Sequence, residues 1–329
     1  MNSIRFIYDK NEKTRLDLEL ASRIPDITRS QISALLSLLK VNGKDAKLSY
    51  KLHSGDNVVF EYREKQLPTN KPENIALEIV YEDENVIVVN KTAQLTTHPC
   101  ETTPHGTLVN ALNYYRLYVS DIKDEFATYL SQETKELASE KLLKATPFAS
   151  CNHSCDPLRL GIVHRLDKDT TGLIITARNT KTAMFLQNEF KAHRVKKCYL
   201  ALLDGKPKNT SAILKTSICR SKKDGRKFIA YPNLHKGRLA ISRFRILKTL
   251  NNISLVKWRI YTGRTHQIRV HAAYLGTPLL QDPLYNKKYK NTASSFFLHA
   301  HKLELDIAEG VHKVFKANIP TRFKKRIKE

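Results

Sequence analysis

Asp167 stands in a run that packs chemistry between two apolar segments. His164-Arg165-Leu166-Asp167-Lys168-Asp169-Thr170-Thr171-Gly172 lies between Ile162-Val163 and Leu173-Ile174-Ile175. The flanks read as strands entering and leaving a core, so the charges between them emerge at one sheet edge, closed by a glycine that suits a tight turn. A second polar run, Thr262-Gly263-Arg264-Thr265-His266-Gln267-Ile268-Arg269-Val270-His271, follows the strand pattern Leu255 to Ile260. If the two runs meet, Arg264 beside Asp167 keeps the carboxylate ionised even when it is partly desolvated. A water-poor carboxylate of that kind serves as a nucleophile or a base. Arg165, two residues before Asp167, faces the same side of an extended segment and can reach a substrate phosphate or the space left by a displaced base. Tyr199, at a strand start, offers a flat ring for stacking and a hydroxyl for proton handling. His164 and His266 read as hydrogen-bonding scaffold, and Lys168 and Asp169 as a solvated turn.

Other chemistries lack their residues. There is no Gly-x-Gly-x-x-Gly, no Gly-x-x-x-x-Gly-Lys-Ser/Thr and no His-Glu-x-x-His. The run His164 to Asp167 has the look of a kinase catalytic loop, but the Gly-rich loop and Asp-Phe-Gly metal site of a kinase are missing. Cys151, His153 and Cys155 suggest zinc, with only His98 or Cys100 on offer nearby as a further ligand. Zinc sites want four ligands at favoured spacings, so a surface insertion is the simpler reading and no metal is expected. A cofactor-free reaction remains.

The elements that position these residues follow from periodicity. Leu16, Leu20 and Ile24 mark one helix, and Ile32, Leu35, Leu36 and Leu39 a second one opened by Ser30. Val41-Asn42-Gly43-Lys44 is an Asn-Gly turn between short strands, and Val58-Val59-Phe60 a strand after the turn at Ser54-Gly55-Asp56. Residues 63–74 are polar, contain two prolines and read as a linker. Then come a strand pair ending at Lys91, a helix from Gly106-Thr107, an amphipathic helix over 181–190, a strand over 199–203, antiparallel strands over 211–248, and a helix opened by Gln267 with Arg264 in the turn before it. The basic hairpin turn at Ser221 to Lys227 is either a solvated tip or a phosphate grip. The fold class is α+β, a small αβ module followed by a mixed, largely antiparallel sheet.

Charge narrows the partner. The 329-residue chain carries a net +24, and residues 151–329 hold 37 Lys and Arg against 11 Asp and Glu. The basic excess therefore lies with the candidate chemistry, and nucleic acid is the first partner it suggests. The apolar runs are too short to span a bilayer, so no membrane association is expected. Five scattered cysteines fit a reducing cytoplasm better than a disulfide framework. No obligate protein partner is expected, and a monomer is the default.

Two resemblances follow from these motifs. Residues 1–62 resemble an S4 RNA-binding domain, through Arg15-Leu16-Asp17, Thr28-Arg29-Ser30, Val41-Asn42-Gly43-Lys44 and Ser54-Gly55-Asp56. The resemblance implies RNA contact through Arg15, Arg29 and Lys44. Residues 75–329, with an insertion at about 116–158, resemble an RluA-family RNA pseudouridine synthase of the large-subunit ribosomal type. Tyr81-Glu82-Asp83, His164-Arg165-Leu166-Asp167, Lys197-Cys198-Tyr199-Leu200-Ala201, the run Thr262 to His271 and Leu298-His299-Ala300 carry that likeness. It implies Asp167 as the catalytic carboxylate, Tyr199 stacked on a flipped uracil, Arg264 paired with Asp167, Arg165 holding the flipped geometry, RNA as the partner and no cofactor. Transfer RNA as the substrate, or a non-catalytic ribosome-assembly role, are the alternatives. Three glycines of the family pattern are missing: Lys91-Thr92-Ala93-Gln94 replaces Lys-Pro-x-Gly, and Gln281-Asp282-Pro283-Leu284-Tyr285-Asn286 replaces Gly-Asp-x-x-Tyr-Gly with both of its glycines lost. A looser turn is expected at the first, and because both changes touch loops they bear on substrate choice more than on chemistry.

Overall fold

A computed structural model describes residues 2–24, 29–62, 69–100, 102–128, 130, 161–233, 235–290, 292 and 295–328. The Cys151, His153 and Cys155 cluster lies outside the described residues. The chain divides into two compact units, Met1–Leu67 and Pro68–Glu329.

In the first unit, β1 (Asn2–Ile7), α1 (Leu16–Arg23), α2 (Arg29–Leu35), β2 (Leu36–Val41), β3 (Lys44–Asp45) and β4 (Asn57–Tyr62) follow in order. The sheet order is β1-β4-β2-β3, antiparallel throughout. Leu16, Leu20 and Ile24 are buried as their spacing predicts, against Ile32, Val58 and Phe60. Asn42 and Gly43 both take positive φ, 53° and 78°, which the two-residue turn between β2 and β3 requires. The second helix is shorter than its apolar spacing suggests. Leu36 and Leu39 lie in β2 instead, because there Leu39 and Val41 alternate into the core while their backbone pairs with β4. Strand β1, which carries no strong apolar run, completes the sheet by pairing along all of β4.

The second unit holds β5 (Ile79–Glu82), β6 (Val86–Lys91), α3 (Leu108–Tyr118), β7 (Thr171–Ala177), α4 (Thr180–Lys191), β8 (Lys196–Asp204), β9 (Ser211–Arg220), β10 (Phe228–Tyr231), β11 (Arg238–Leu250), β12 (Ile253–Ile260), α5 (Gln267–Tyr274), β13 (Leu298–Ala308), β14 (Val311–Lys316) and α6 (Thr321–Lys328). Its ten-stranded sheet runs β10-β9-β11-β12-β8-β13-β7-β6-β5, with β14 on β13. Only β13 and β7 pair in parallel among these strands. The centre is covered on both faces, which is why β6 and β7 are continuously apolar rather than alternating. Ile87, Val89 and Ile174 face α3 and α5, with Leu108, Leu112 and Ile268. Val86, Val88, Leu173 and Ile175 face α4, with Ala183 and Leu186. Each such side chain contributes about 1.5–3 kcal/mol on full burial.

Gly172 is not a turn residue. It sits in β7 at φ 109°, where a Cβ would overlap the Ala300 carbonyl oxygen of β13. The parallel β7–β13 contact is thus possible only with glycine there. Within the expected linker, Thr69 to Glu73 is tied to the second unit: Asn110 Nδ2 donates to the Thr69 and Lys71 carbonyls at 2.9 Å, and Gly106 N to Glu73 Oε1 at 2.9 Å. The first residues of the expected insertion are docked rather than superficial. Arg116, in the last turn of α3, is buried with Asp124 Oδ2 at 3.1 Å from its Nε, and Asp124 and Phe126 are buried too.

Candidate active site

Ile162 makes one isolated bridge, to Thr176, and the described residues 161–167 leading to Asp167 form no strand. Side chains rather than a ladder hold the segment. His164 Nε2 accepts from Ile175 N at 3.0 Å, Thr97 Oγ1 donates to the Leu166 carbonyl at 2.9 Å, and Lys91 Nζ donates to the Lys168 carbonyl at 2.9 Å. Lys91 is 1% exposed and also donates to the Thr92 and Leu95 carbonyls, both at 2.8 Å. Through three carbonyls its side chain thus ties the loop from Thr92 to Leu95 to the Asp167 turn as one mount. Burial drives Lys91 down to about 7, against the pull of Asp169 and Asp167. His164 is stacked on Phe190 and pushed down to about 3 by burial, so it is neutral and acts as an acceptor, the scaffold role expected of it.

The turn opens into a cleft of about 710 Å³ lined by Arg165, Asp167, Tyr199, Arg264, His266 and Arg269, among others. The four residues picked from the sequence therefore converge, although they come from the loop before β7, from β8 and from the turn before α5. The pairing differs from the expected one. The guanidinium beside Asp167 belongs to Arg269, whose Nη1 lies 3.4 Å from Asp167 Oδ2. Arg264 instead donates from Nε to the Leu239 carbonyl at 2.8 Å. The reason is helical phase. Gln267 caps the turn by accepting from Arg264 N at 2.9 Å and from Thr262 Oγ1 at 2.8 Å, so Arg264 precedes the helix. His266 and Arg269, three residues apart, share the face toward Asp167. That spacing was the available signal in the sequence.

Arg269 is fixed from behind. Its Nε and Nη2 donate to Asp282 at 2.8 and 2.9 Å, and Asp282, 0% exposed, also accepts from the Leu284 and Tyr285 amides. Tyr285 and Phe296 flank the guanidinium. One planar cation thus spans a buried carboxylate and the half-buried Asp167, a task suited to arginine. His266 adds its Nε2 at 3.9 Å from Asp167 Oδ2. Tyr285 Oη accepts from Phe228 N and lies 2.9 Å from His266 Nδ1. Its own proton is then available to Nδ1, which leaves the His266 proton on Nε2, toward Asp167. Burial lowers His266 despite Asp167 nearby, which keeps the ring neutral. Tyr199, 8% exposed, is pushed well above the usual phenol range by burial and by the Asp167 charge, so its hydroxyl stays protonated.

Two of the three family glycines that this chain lacks fall where the backbone is left-handed, Gln94 at φ 63° and Gln281 at φ 61°, whereas Asn286 is extended at φ −102°. The turns are kept and the side chains bear the strain, so they are not loosened. Gln94 is exposed. Gln94→Gly is therefore expected to raise stability by about 0.5–1 kcal/mol, read as a higher urea midpoint at unchanged slope.

Comparison with known proteins accords with this geometry. The family described as RNA pseudouridylate synthase matches residues 85–274, more than half of the chain. The chain belongs to that family. The synthase is 33% identical over 321 residues to the ribosomal large subunit pseudouridine synthase D of Borreliella burgdorferi, covering 95% of this chain and 89% of that one. It is 36% identical over 283 residues to the chloroplastic RNA pseudouridine synthase 2 of Arabidopsis thaliana, covering 83% of this chain and 64% of that one. The fold is similar to that of human RNA pseudouridylate synthase domain containing 1, with a TM-score of 0.54 at 22% identity over 75% of this chain and 84% of that one. The synthase is an isomerase acting on RNA, with a mixed α+β fold. Among its described residues no group of His, Cys, Asp and Glu could hold a metal ion, and no helix is long and apolar enough to cross a membrane.

Proposed function

We propose that the synthase converts specific uridines of large-subunit ribosomal RNA to pseudouridine, with Asp167 as the catalytic carboxylate. The observation that carries the catalytic assignment is the Asp167–Arg269–Asp282 array at the floor of the cleft. Arg269 sets a positive charge 3.4 Å from one side of Asp167, and the cleft leaves its other side open to a ligand. A base inside a duplex is out of reach of such a floor, so the uridine enters flipped. The reaction breaks N1–C1′ and forms C5–C1′; C5 loses a proton and N1 gains one. Atoms balance without a cofactor. Asp167 either attacks the ribose or deprotonates it, and both routes begin from the carboxylate. Tyr199 stacks on the uracil and handles the later proton transfer, and Arg165, exposed at the rim, holds the flipped geometry.

The ribosomal target is supported by the basic excess and by relatives that carry that function in their names. The first unit is the proposed S4-type grip on RNA. Arg15 pairs with Asp17 through two bonds, at 3.1 and 2.9 Å, and Arg29 reaches the same carboxylate at 2.9 Å. Asp17, held down to about 2 first by Arg15 and then by Arg29, so orients two half-exposed guanidiniums toward solvent; Lys44, also exposed, lies at the β2–β3 turn. A monomer in the cytoplasm completes the proposal.

The test is carbodiimide mapping of pseudouridine in total RNA from cells with and without the gene. Loss of signal at discrete large-subunit positions is the expected result. Loss confined to transfer RNA would overturn the ribosomal assignment, and unchanged signal everywhere would point to a redundant enzyme or a binding role.

A further inference from the structure

Two buried lysines flank the active site and are treated differently. Lys91 has three carbonyl acceptors. Lys197, at the start of β8 and 8% exposed, has no hydrogen bond or ion pair among the described residues. Its neighbour Lys196 pairs with Glu304 at 2.6 Å, so the sheet offers a carboxylate to one lysine and withholds it from the next. Lys197 lines the cleft, with its ammonium 5.5 Å from the centre of the Phe190 ring. It also lies beside the turn before α5, about 4.0 Å from where a Gly263 Cβ would stand. Arg264, next along, uses Nε on the Leu239 carbonyl, and its terminal nitrogens have no partner among the described residues. The two cations are close enough that Arg264 adds to the burial that lowers Lys197 to about 8.

A desolvated ammonium beside a second cation, facing an open cleft, is unfavourable until an anion enters. Neither group takes part in the Asp167–Arg269–Asp282 array. We propose that Lys197 and Arg264 form a seat for a phosphodiester of the nucleotide that enters the cleft. The proposal rests on RNA as the ligand, whose backbone supplies an anion beside every base. Binding energy gained there is remote from the reacting bonds, so it acts on substrate affinity rather than on the chemical step.

The experiment compares Lys197→Met, which keeps the chain length and removes the charge, and Arg264→Gln, at a half-exposed site. The wild type is first assayed on transcripts of large-subunit ribosomal RNA and on bulk transfer RNA, and the variants are then measured on the RNA it modifies. A wrong ribosomal assignment appears in the wild type alone; a wrong phosphate seat appears only in the variants. Each variant is expected to raise KM about tenfold while kcat stays within about twofold. The slope of log Kd against log salt is expected to become shallower by about 0.7–0.9 for each variant. An unchanged salt slope and KM in both variants overturns the proposal. So does a fall in kcat at unchanged KM, which would make Lys197 a proton-transfer group. If Lys197→Met does not fold, the slope and KM of Arg264→Gln decide by the same criteria.

Discussion

Asp167→Asn is expected to lower pseudouridine formation by about four orders of magnitude while RNA affinity stays within a few-fold. The substitution keeps the shape of the side chain, and its amide oxygen can still accept from Arg269 Nη1, which lies 3.4 Å away in the native protein. It removes the negative charge that either route through the ribose requires. Stability changes little, because Arg269 keeps its two bonds to Asp282. The measurement is a single-turnover assay of pseudouridine formation beside filter binding of the same RNA. Retention of more than a few per cent of the rate would mean that another group initiates the reaction.

Arg269→Met carries the second large effect, on stability and activity together. It leaves Asp282, 0% exposed, with only the Leu284 and Tyr285 amides among the partners described above. Removing one partner of a buried ion pair costs about 3–5 kcal/mol, because the remaining charge stays desolvated. Asp167 also loses the guanidinium that lies 3.4 Å from its carboxylate and fixes its place in the cleft, and a fall of at least about a hundredfold in kcat is expected on that account. Arg269→Lys is expected to fall between the two, since one ammonium cannot reproduce the fork that spans both carboxylates. Urea unfolding of Arg269→Met, Asp282→Asn and the double variant gives the coupling directly. A double variant as unstable as the sum of the singles would show that the two side chains do not act as a pair.

Much of the site was legible in the residues. The cluster around Asp167 and the run from Thr262 to His271 announce a cleft because they interrupt apolar strands with charge. Tyr199 and Arg165 were found by their position relative to those strands, and both line the cleft. What was misread was local geometry decided by partners far along the chain. Ile162-Val163 looks like a strand, yet its neighbours satisfy their backbone through Thr97 and Lys91, some seventy residues earlier. Leu36 and Leu39 fit a helix by spacing, and β4 draws them into a sheet. Gln94 predicts a loose turn by residue type, and the surrounding structure holds it, like Gln281, in the left-handed region.

By itself the sequence determined the chemistry-bearing residues, the apolar period of most elements and the basic field, since these are properties of residue type and short spacing. The tertiary structure alone decided which arginine meets Asp167, what holds that arginine, and which lysine is left without a counter-charge. Arg269 and Asp167 are 102 residues apart and Lys91 and Lys168 are 77 apart. Contacts of that range depend on the order of strands in the sheet and on the phase at which α5 begins, and no local period of side chains encodes either.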